Sequence, residues 1–220
     1  VLYHLGVPGF DGGYVGVDVF FVVSGYLITN SLLSDARRES GLKLRNFYAR
    51  RIRRLLPISG VVLISTAIAS AFILEPGRIR DVGVDAISSG LFSSNWLFAG
   101  RATDYLQASL PPSPLQHYWS LSLEEQFYVV WPIFILFLSR YGKRAILNGV
   151  AIVTALSLLL SVYLTQVAPI WAFYSLPTRA WELGVGALLL FIPDKYLRNR
   201  YFPWIGALGL ATATLRFDES

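Results

Sequence analysis

The chain has 220 residues, of which 54% are hydrophobic and only 15% are charged, whereas about a quarter of the residues in soluble domains are charged. This composition excludes an ordinary soluble globular domain and favours a membrane protein built from apolar helices. The net charge of +5 does not indicate nucleic acid as a partner, because the basic residues lie at the ends of apolar segments and not along one polar face. The absence of cysteine excludes disulfides and thiol chemistry.

Several apolar segments are long enough to cross a membrane. The complete spans are predicted at 15–34, 55–74, 118–139, 145–164 and 171–192, with the end of a truncated helix at 1–5 and a short last segment at 202–215. Segment 55–74 has no charged residue over its whole length and matches a hydrocarbon core of about 30 Å. We therefore predict an all-α fold, a polytopic transmembrane helical bundle of about six to seven membrane helices and one re-entrant or interfacial helix.

Residues 85–100 form a weaker apolar segment that is interrupted by serines and an asparagine, SSGLFSSNWLFAG. Basic residues flank membrane spans mainly on the cytoplasmic side. If the basic loop 35–54 is cytoplasmic, the basic clusters near 140–144 and 195–200 also become cytoplasmic only when segment 85–100 does not cross. We therefore predict that this segment is the re-entrant or surface helix.

The basic loop 35–54 holds eight of the nineteen basic residues and carries a net charge of +6. Three of its arginines, Arg50, Arg51 and Arg54, directly precede the predicted span 55–74. Arginine side chains bind phosphates through paired hydrogen bonds, so these residues predict a site for an anionic ligand. Contact with anionic lipid headgroups is the alternative interpretation.

Five ionisable residues lie within or beside the other spans, where such groups are costly and usually functional. Asp18 needs a cation or several donors, unless it lies at the membrane interface near a helix start. Glu124 and Glu125 point about 100° apart on a helix and cannot share one partner. Arg179 and Glu182 are three residues apart and can pair, either as a structural bridge or along a substrate path.

His4 is one of two histidines, and it follows an apolar stretch near the outer end of the first predicted helix. A histidine in this position can accept a proton from a hydroxyl near neutral pH. The alternative is a structural hydrogen bond at the membrane interface. The sequence predicts no metal site.

Five ordered motifs resemble one family of membrane enzymes. They are VLYH, GGYVGVDVFFVVSGYLIT, FYARRIRRLLP, HYWSLSLEEQFYVVWP and FYSLPTRAWELGVGALL. In this order they resemble the acyltransferase 3 family of integral membrane acyltransferases, and most closely the branch that O-acetylates bacterial surface polysaccharides and peptidoglycan. The likeness runs from residue 1 to about residue 191. We expect residues 1–220 to be a partial acyltransferase 3 transmembrane domain, truncated at both ends.

The resemblance implies roles for the residues described above. It implies catalytic roles for His4, Asp18, Glu124 and Glu125, and binding of the acyl-CoA donor for Arg50, Arg51 and Arg54. Arg179 and Glu182 match a family motif whose role is open, either a structural pair or part of the substrate path. The family's motif arginine, eleven residues before the histidine, would precede Val1.

The implied activity is a membrane-bound O-acyltransferase in the inner membrane of a bacterial cell. It would move an acyl group, expected to be acetyl, from cytosolic acyl-CoA to a hydroxyl of an extracytoplasmic glycan such as lipopolysaccharide O-antigen, exopolysaccharide or peptidoglycan. Acetyl-CoA is then a donor substrate, and no permanently bound cofactor is expected. The other expected partners are membrane lipid and a downstream SGNH hydrolase-like domain of the full-length chain.

The mechanism leaves two routes open, because His4 could act as a general base or carry the acyl group covalently. A transporter or flippase for a glycan or a lipid-linked sugar is the alternative function, in which the intramembrane charges line a path. Transporters of this kind usually contain internal repeats, and the sequence shows none. A non-catalytic membrane scaffold is a third interpretation.

Overall fold

The structure is a computed structural model that describes residues 15–36, 43–104 and 111–193. Every regular element within these ranges is an α-helix. The helices are α1 (Val15–Ala36), α2 (Leu44–Ile73), α3 (Pro76–Gly90), α4 (Ser94–Thr103), α5 (Tyr118–Ser139), α6 (Lys143–Val167), α7 (Pro169–Tyr174) and α8 (Leu176–Leu189). By length and apolar character, α1, α2, α5 and α6 can cross a membrane. The predicted all-α membrane fold is confirmed, while the predicted segments 1–5 and 202–215 lie outside the described residues.

Helices α2 and α5 run in opposite directions. The Tyr118 hydroxyl, at the start of α5, donates to the Ser59 carbonyl at 3.2 Å. The Tyr48 hydroxyl, near the start of α2, donates to the Val129 carbonyl at 2.7 Å. The start of α5 therefore lies at the same end of the bundle as the end of α2. This agrees with the prediction that segment 85–100 does not cross the membrane.

The predicted single helix at 85–100 is in fact parts of two helices, α3 and α4, joined by a turn at residues 91–93. Phe92 in this turn has a positive φ of 53°. The Gln126 amide of α5 donates to the Phe92 carbonyl and to Asn95 Oδ1, both at 2.8 Å. The hydroxyls of Ser94 and Ser122 lie 2.8 Å apart. The small polar residues of the segment thus attach the tip of the α3–α4 hairpin to α5.

Helix α1 runs parallel to α5. Ser24 Oγ donates to Glu124 at 2.6 Å, and Trp131 Nε1 donates to Thr29 at 2.8 Å. Residue numbers on the two helices therefore increase together. Since α2 is antiparallel to α5, the start of α2 and the turn between α5 and α6 lie at the same end of the bundle. That end carries the arginines of α2 together with Arg140, Lys143 and Arg144.

Helix α8 lies between α1 and α6 and contacts both at glycines. An ideal Cβ on Gly25 would lie 1.9 Å from the Leu183 carbonyl oxygen, and one on Gly186 would lie 1.9 Å from the Val22 carbonyl oxygen. On the opposite side of α8, a Cβ on Gly184 would lie 2.1 Å from a side-chain oxygen of α6. Small residues allow membrane helices to approach closely and to bind through van der Waals contact. These glycines fix the position of α8.

Two predicted segments differ from the helices of the structure. The predicted span 55–74 is part of a helix that begins at Leu44, because the turns before Pro57 are held by the buried Phe47 ring and by contacts of Tyr48 with α5. The proline removes one helix hydrogen bond without ending the helix. Arg50, Arg51 and Arg54 are consequently helical residues.

The predicted span 171–192 is broken at Ser175, which has extended backbone angles between α7 and α8. Pro177 lies in the first turn of α8, where a missing N–H is tolerated. The Thr178 hydroxyl donates to the carbonyls of Ala172 and Ser175, at 2.6 and 2.8 Å. The first of these bonds occupies the Ala172 carbonyl, which the break leaves without a helical partner.

Candidate active site

The first polar cluster, called the inner cluster, comprises Arg51, Glu124, Glu125, Tyr128 and Ser24. Arg51 Nε lies 2.9 Å from both carboxylate oxygens of Glu125, and Nη2 contacts the same carboxylate. The guanidinium also lies over the Tyr128 ring, 3.5 Å from its centroid. A carboxylate and an aromatic face therefore hold this arginine in one orientation.

Glu124 is buried and is stabilised by hydroxyl groups. Its Oε1 accepts a hydrogen bond from Ser24 at 2.6 Å and one from Tyr128 at 2.5 Å. A carboxylate at hydrogen-bond distance from a serine hydroxyl can take up the proton of that hydroxyl. The two neighbouring glutamates thus have different partners, as their positions on the helix predict.

A cavity of about 650 Å³, called the inner cavity, opens beside this cluster between α1, α2 and α5. Its charged lining residues are Arg50, Arg51, Arg54 and Glu124. Arg50 is half exposed and bonds Asp35 at 2.6 Å, and Arg54 is exposed. Arg50 and Arg54 therefore present exposed guanidinium groups at this cavity, which favours an anionic ligand.

A smaller cavity of about 300 Å³ lies on the other side of the Arg51 side chain. Arg51 and Tyr128 border both cavities, and Glu125 borders the smaller one. Most of its other lining residues are apolar, among them Leu55 and Phe92. The stacked Arg51 and Tyr128 side chains therefore form a wall between a charged space and an apolar space.

The second polar cluster, called the outer cluster, comprises Asp18, Arg179 and Glu182. Arg179 contacts Asp18 through Nη2, and its Nε lies 3.1 Å from Glu182 Oε1. The guanidinium carbon lies 5.6, 5.8 and 5.5 Å from the ring centroids of Phe21, Trp119 and Phe173. Among the described residues, Glu182 Oε2 is buried without a hydrogen-bond partner. The ion pair therefore leaves one carboxylate oxygen of Glu182 unused.

Phe21 separates the two clusters along α1. Asp18, Phe21 and Ser24 follow one another at intervals of three residues, so Phe21 lies within about 60° of each of the other two around the helix axis. Phe21 is fully buried and meets the edge of Trp119, with ring centroids 6.2 Å apart. Six residues of helix correspond to about 9 Å, so a short aromatic layer divides the outer cluster from the inner cluster.

The structure distributes the predicted site residues between these clusters. Glu124, Glu125 and the three arginines lie at the inner cavity or beside it, whereas Asp18 joins the predicted pair Arg179 and Glu182. His4 lies outside the described residues, so the geometry around it stays a prediction. The catalytic and donor-binding roles of all these residues also stay predictions.

Ser24 and Tyr128 are members of the site that the sequence did not predict. Tyr128 lies four residues after Glu124 on the same face of α5, so its helical spacing contained a signal. Ser24 lies six residues after Asp18, about 120° away around α1, and its spacing contains no such signal. Both residues are uncharged and are therefore not among the intramembrane charges.

Three relatives show what the chain is similar to. It is 39% identical over 197 residues to the peptidoglycan O-acetyltransferase OatA of Listeria monocytogenes, covering 87% of this chain. It is 37% identical over 209 residues to the putative peptidoglycan O-acetyltransferase YrhL of Bacillus subtilis, covering 92% of this chain. It is 36% identical over 195 residues to the O-acetyltransferase OatA of Staphylococcus aureus strain NCTC 8325, covering 87% of this chain. No solved structure matches.

The matches cover 31%, 33% and 32% of those three relatives, so the chain spans about a third of their length. The acyltransferase 3 family model, described as an acyltransferase domain, matches residues 2–217. This match includes all the described helices and both polar clusters. The chain therefore belongs to the acyltransferase 3 family.

Proposed function

We propose that the chain is the transfer part of a membrane O-acetyltransferase that acts on an extracytoplasmic glycan. The observation that carries the proposal is the pair of polar clusters at two depths of one helix bundle, the inner one beside an arginine-lined cavity. Membership of the family supports this activity. The relatives that are named peptidoglycan O-acetyltransferases favour peptidoglycan as the acceptor.

Acetyl-CoA is the proposed donor, and it carries several phosphate charges. The exposed arginines of the inner cavity support this choice, because arginines bind phosphates with paired hydrogen bonds. Arg50 and Arg54 are exposed at the cavity and are assigned to the phosphates. Arg51 is occupied by Glu125 and Tyr128, so we assign it to positioning these two side chains.

The proposed reaction forms an ester and breaks a thioester. The hydroxyl oxygen of the acceptor attacks the acetyl carbonyl carbon, the C–S bond breaks, and the thiolate of CoA takes up the proton that a base removed from the hydroxyl. The family resemblance assigns His4 as this base or as a covalent carrier of the acetyl group. Asp18 and Glu124 are the acidic side chains that would orient the reacting groups.

The proposed orientation places the basic end of the bundle in the cytoplasm. Arg50, Arg51 and Arg54 lie at the same end as Arg140 and Lys143, and basic residues accumulate on the cytoplasmic side of membrane proteins. The inner cavity then faces the compartment that contains acetyl-CoA. The outer cluster lies toward the opposite face, and a bacterial cytoplasmic membrane is the proposed location.

The decisive experiment expresses the full-length protein in a bacterial strain without its own O-acetyltransferases. Ester-linked acetate is released from the purified peptidoglycan with mild base and quantified. We expect acetylation by the wild type and a loss of about 100-fold in His4→Ala, because general base catalysis contributes 10²–10⁴-fold. His117→Ala replaces the other histidine, at the start of α5, and is the matched control.

Two outcomes would contradict the proposal at different points. Acetylation at the wild-type level in His4→Ala would overturn the role of His4. Inverted membrane vesicles that receive radiolabelled acetyl-CoA test the activity itself, since only an acetyltransferase moves the label to the glycan. Movement of the glycan across the membrane without label would indicate the transporter instead.

A further inference from the structure

A third polar cavity, called the outer cavity, lies at the end of the bundle opposite the arginines of α2. It has a volume of about 500 Å³ and lies between α3, α4, the residues that precede α5, and Tyr174 of α7. Its charged lining residues are Arg78, Asp81, Asp85 and Arg101. None of these four residues has a role predicted from the sequence.

Two of these charges are fixed by a buried ion pair. The Asp85 side chain is almost completely buried and bonds Arg101 Nη1 at 2.5 Å. Arg78 is held at the rim, where its Nη2 donates to the carbonyls of Pro111 and Pro112 at 3.0 and 3.3 Å. Polar groups that are already oriented lose little freedom when a ligand binds. Asp85, Arg101 and Arg78 are therefore already oriented at the outer cavity.

The charges of the outer cavity indicate an uncharged ligand. The two arginines and two aspartates that line it give a net charge of zero. The outer cavity also offers both hydrogen-bond donors and hydrogen-bond acceptors, including the Gln116 amide. A ligand rich in hydroxyl groups uses both kinds, because each hydroxyl donates and accepts.

The remaining lining supplies a surface for the carbon skeleton of such a ligand. Val82, Phe98 and Tyr174 form an apolar wall of the outer cavity. Small-molecule sites typically combine apolar walls with a few convergent polar groups. A sugar ring has this character, with hydroxyls around its edge and C–H groups on its faces.

The outer cavity adjoins the outer cluster. The ring centroid of Tyr174 lies 5.5 Å from that of Trp119, and the guanidinium carbon of Arg179 lies 5.8 Å from the Trp119 ring. One layer of aromatic side chains therefore lies between the outer cavity and Arg179.

We propose that the outer cavity binds a sugar residue of the glycan acceptor. This proposal rests on the proposed function, because an acceptor site presupposes transfer to a glycan. It assigns the inner cavity to the anionic donor and the outer cavity to the uncharged part of the acceptor. Asp81 is half-buried and Gln116 is exposed at the cavity. Both are then residues that determine the affinity for the acceptor.

The test measures two affinities on each variant of the full-length protein in lipid nanodiscs. Chitotriose, a neutral oligosaccharide of N-acetylglucosamine, is the probe for the outer cavity, and acetyl-CoA is the probe for the inner cavity. We expect Asp81→Asn and Gln116→Ala to raise the Kd for chitotriose about tenfold, the effect of losing one good hydrogen bond to a ligand. The Kd for acetyl-CoA should stay within about twofold, which also shows that the variants are folded.

Arg80→Gln is the matched control, because Arg80 is exposed next to Asp81 and does not line the outer cavity. Its Kd for chitotriose should equal that of the wild type. Unchanged chitotriose binding in both Asp81→Asn and Gln116→Ala, or no binding to the wild type, would overturn the acceptor site. Failure of the full-length protein to acetylate peptidoglycan tests the proposed function separately, because chitotriose binding does not depend on acetyl transfer.

Discussion

Replacing Gly25 with alanine should force α1 away from α8. The new Cβ would lie 1.9 Å from the Leu183 carbonyl oxygen, whereas real Cβ atoms stay beyond 3.0 Å, so the helices must separate by about 1.1 Å. Helix α8 cannot move freely toward its other neighbour, because it also lies close to α6, where a Cβ on Gly184 would lie 2.1 Å from Thr154 Oγ1. The extra methyl group therefore strains the α1–α8 interface, and α8 is also closely packed against α6 on its other side.

The size of the effect follows from two opposing terms. Overpacking an interface costs about 1–3 kcal/mol, and it outweighs the helix propensity that alanine gains over glycine, about 1 kcal/mol in an exposed helix. Gly16 and Gly60 lie in helices α1 and α2 with no atom within 4 Å of an added Cβ. Their alanine variants should be neutral or slightly stabilised, because only the propensity term applies.

The assay heats full-length variants fused to a fluorescent protein in membranes and measures the fraction that stays monodisperse after extraction. Gly25→Ala should lose this fraction at a lower temperature than the wild type, and Gly16→Ala and Gly60→Ala should not. Peptidoglycan acetylation should fall as well, because the same interface aligns Asp18 with Arg179. A Gly25→Ala protein as stable as Gly60→Ala would refute the close contact of α1 and α8.

Three further variants test individual parts of the site in the full-length protein. Arg54→Gln should raise the KM for acetyl-CoA about tenfold, the effect of one lost charged hydrogen bond. Arg53 lies outside the inner cavity, so Arg53→Gln should leave this KM unchanged. Equal KM values for the two variants would contradict the phosphate role of Arg54. Tyr128→Phe keeps the ring under Arg51 but removes the hydroxyl that donates to Glu124. The free energy of unfolding should fall by about 1.5–3 kcal/mol, which lowers the melting temperature. An unchanged melting temperature would contradict the hydrogen bond from Tyr128 to Glu124. Phe21→Ala opens the aromatic layer, and hydrolysis of acetyl-CoA without transfer should increase; a rate equal to that of the wild type would show that Phe21 is not a barrier to water.

The sequence predicts those features of the fold that depend on residues close together in the chain. Span 118–139 agrees with α5 at both ends, because its apolar length and the breaks that flank it are local properties. The pairing of Arg179 with Glu182 follows from their spacing on one helix. The prediction that segment 85–100 does not cross needed only the distribution of basic residues.

The contacts between helices could not be predicted in the same way. Glu125 and Arg51 are 74 residues apart, Glu124 and Ser24 are 100 apart, and Asp18 and Arg179 are 161 apart. Each pair depends on which helices are neighbours and on their rotation, and the chain carries no local signal for either. The break at Ser175 was missed although Pro177 gave a local signal, because an apolar segment of membrane length favoured one continuous span.

Under the proposed function, the positions of the two clusters divide the crossing of the membrane into three parts. Arg51 lies seven residues into α2, so a donor entering from the basic end penetrates about 10 Å before it meets the inner cluster. Asp18 lies at the start of α1, and the outer cavity brings the acceptor to the same end of the bundle. The two clusters are then only about 9 Å apart, on either side of Phe21, within a hydrocarbon core of about 30 Å. On this proposal, donor and acceptor enter from opposite faces and only this short distance separates their sites, so the aromatic layer at Phe21 is the place where water must be excluded.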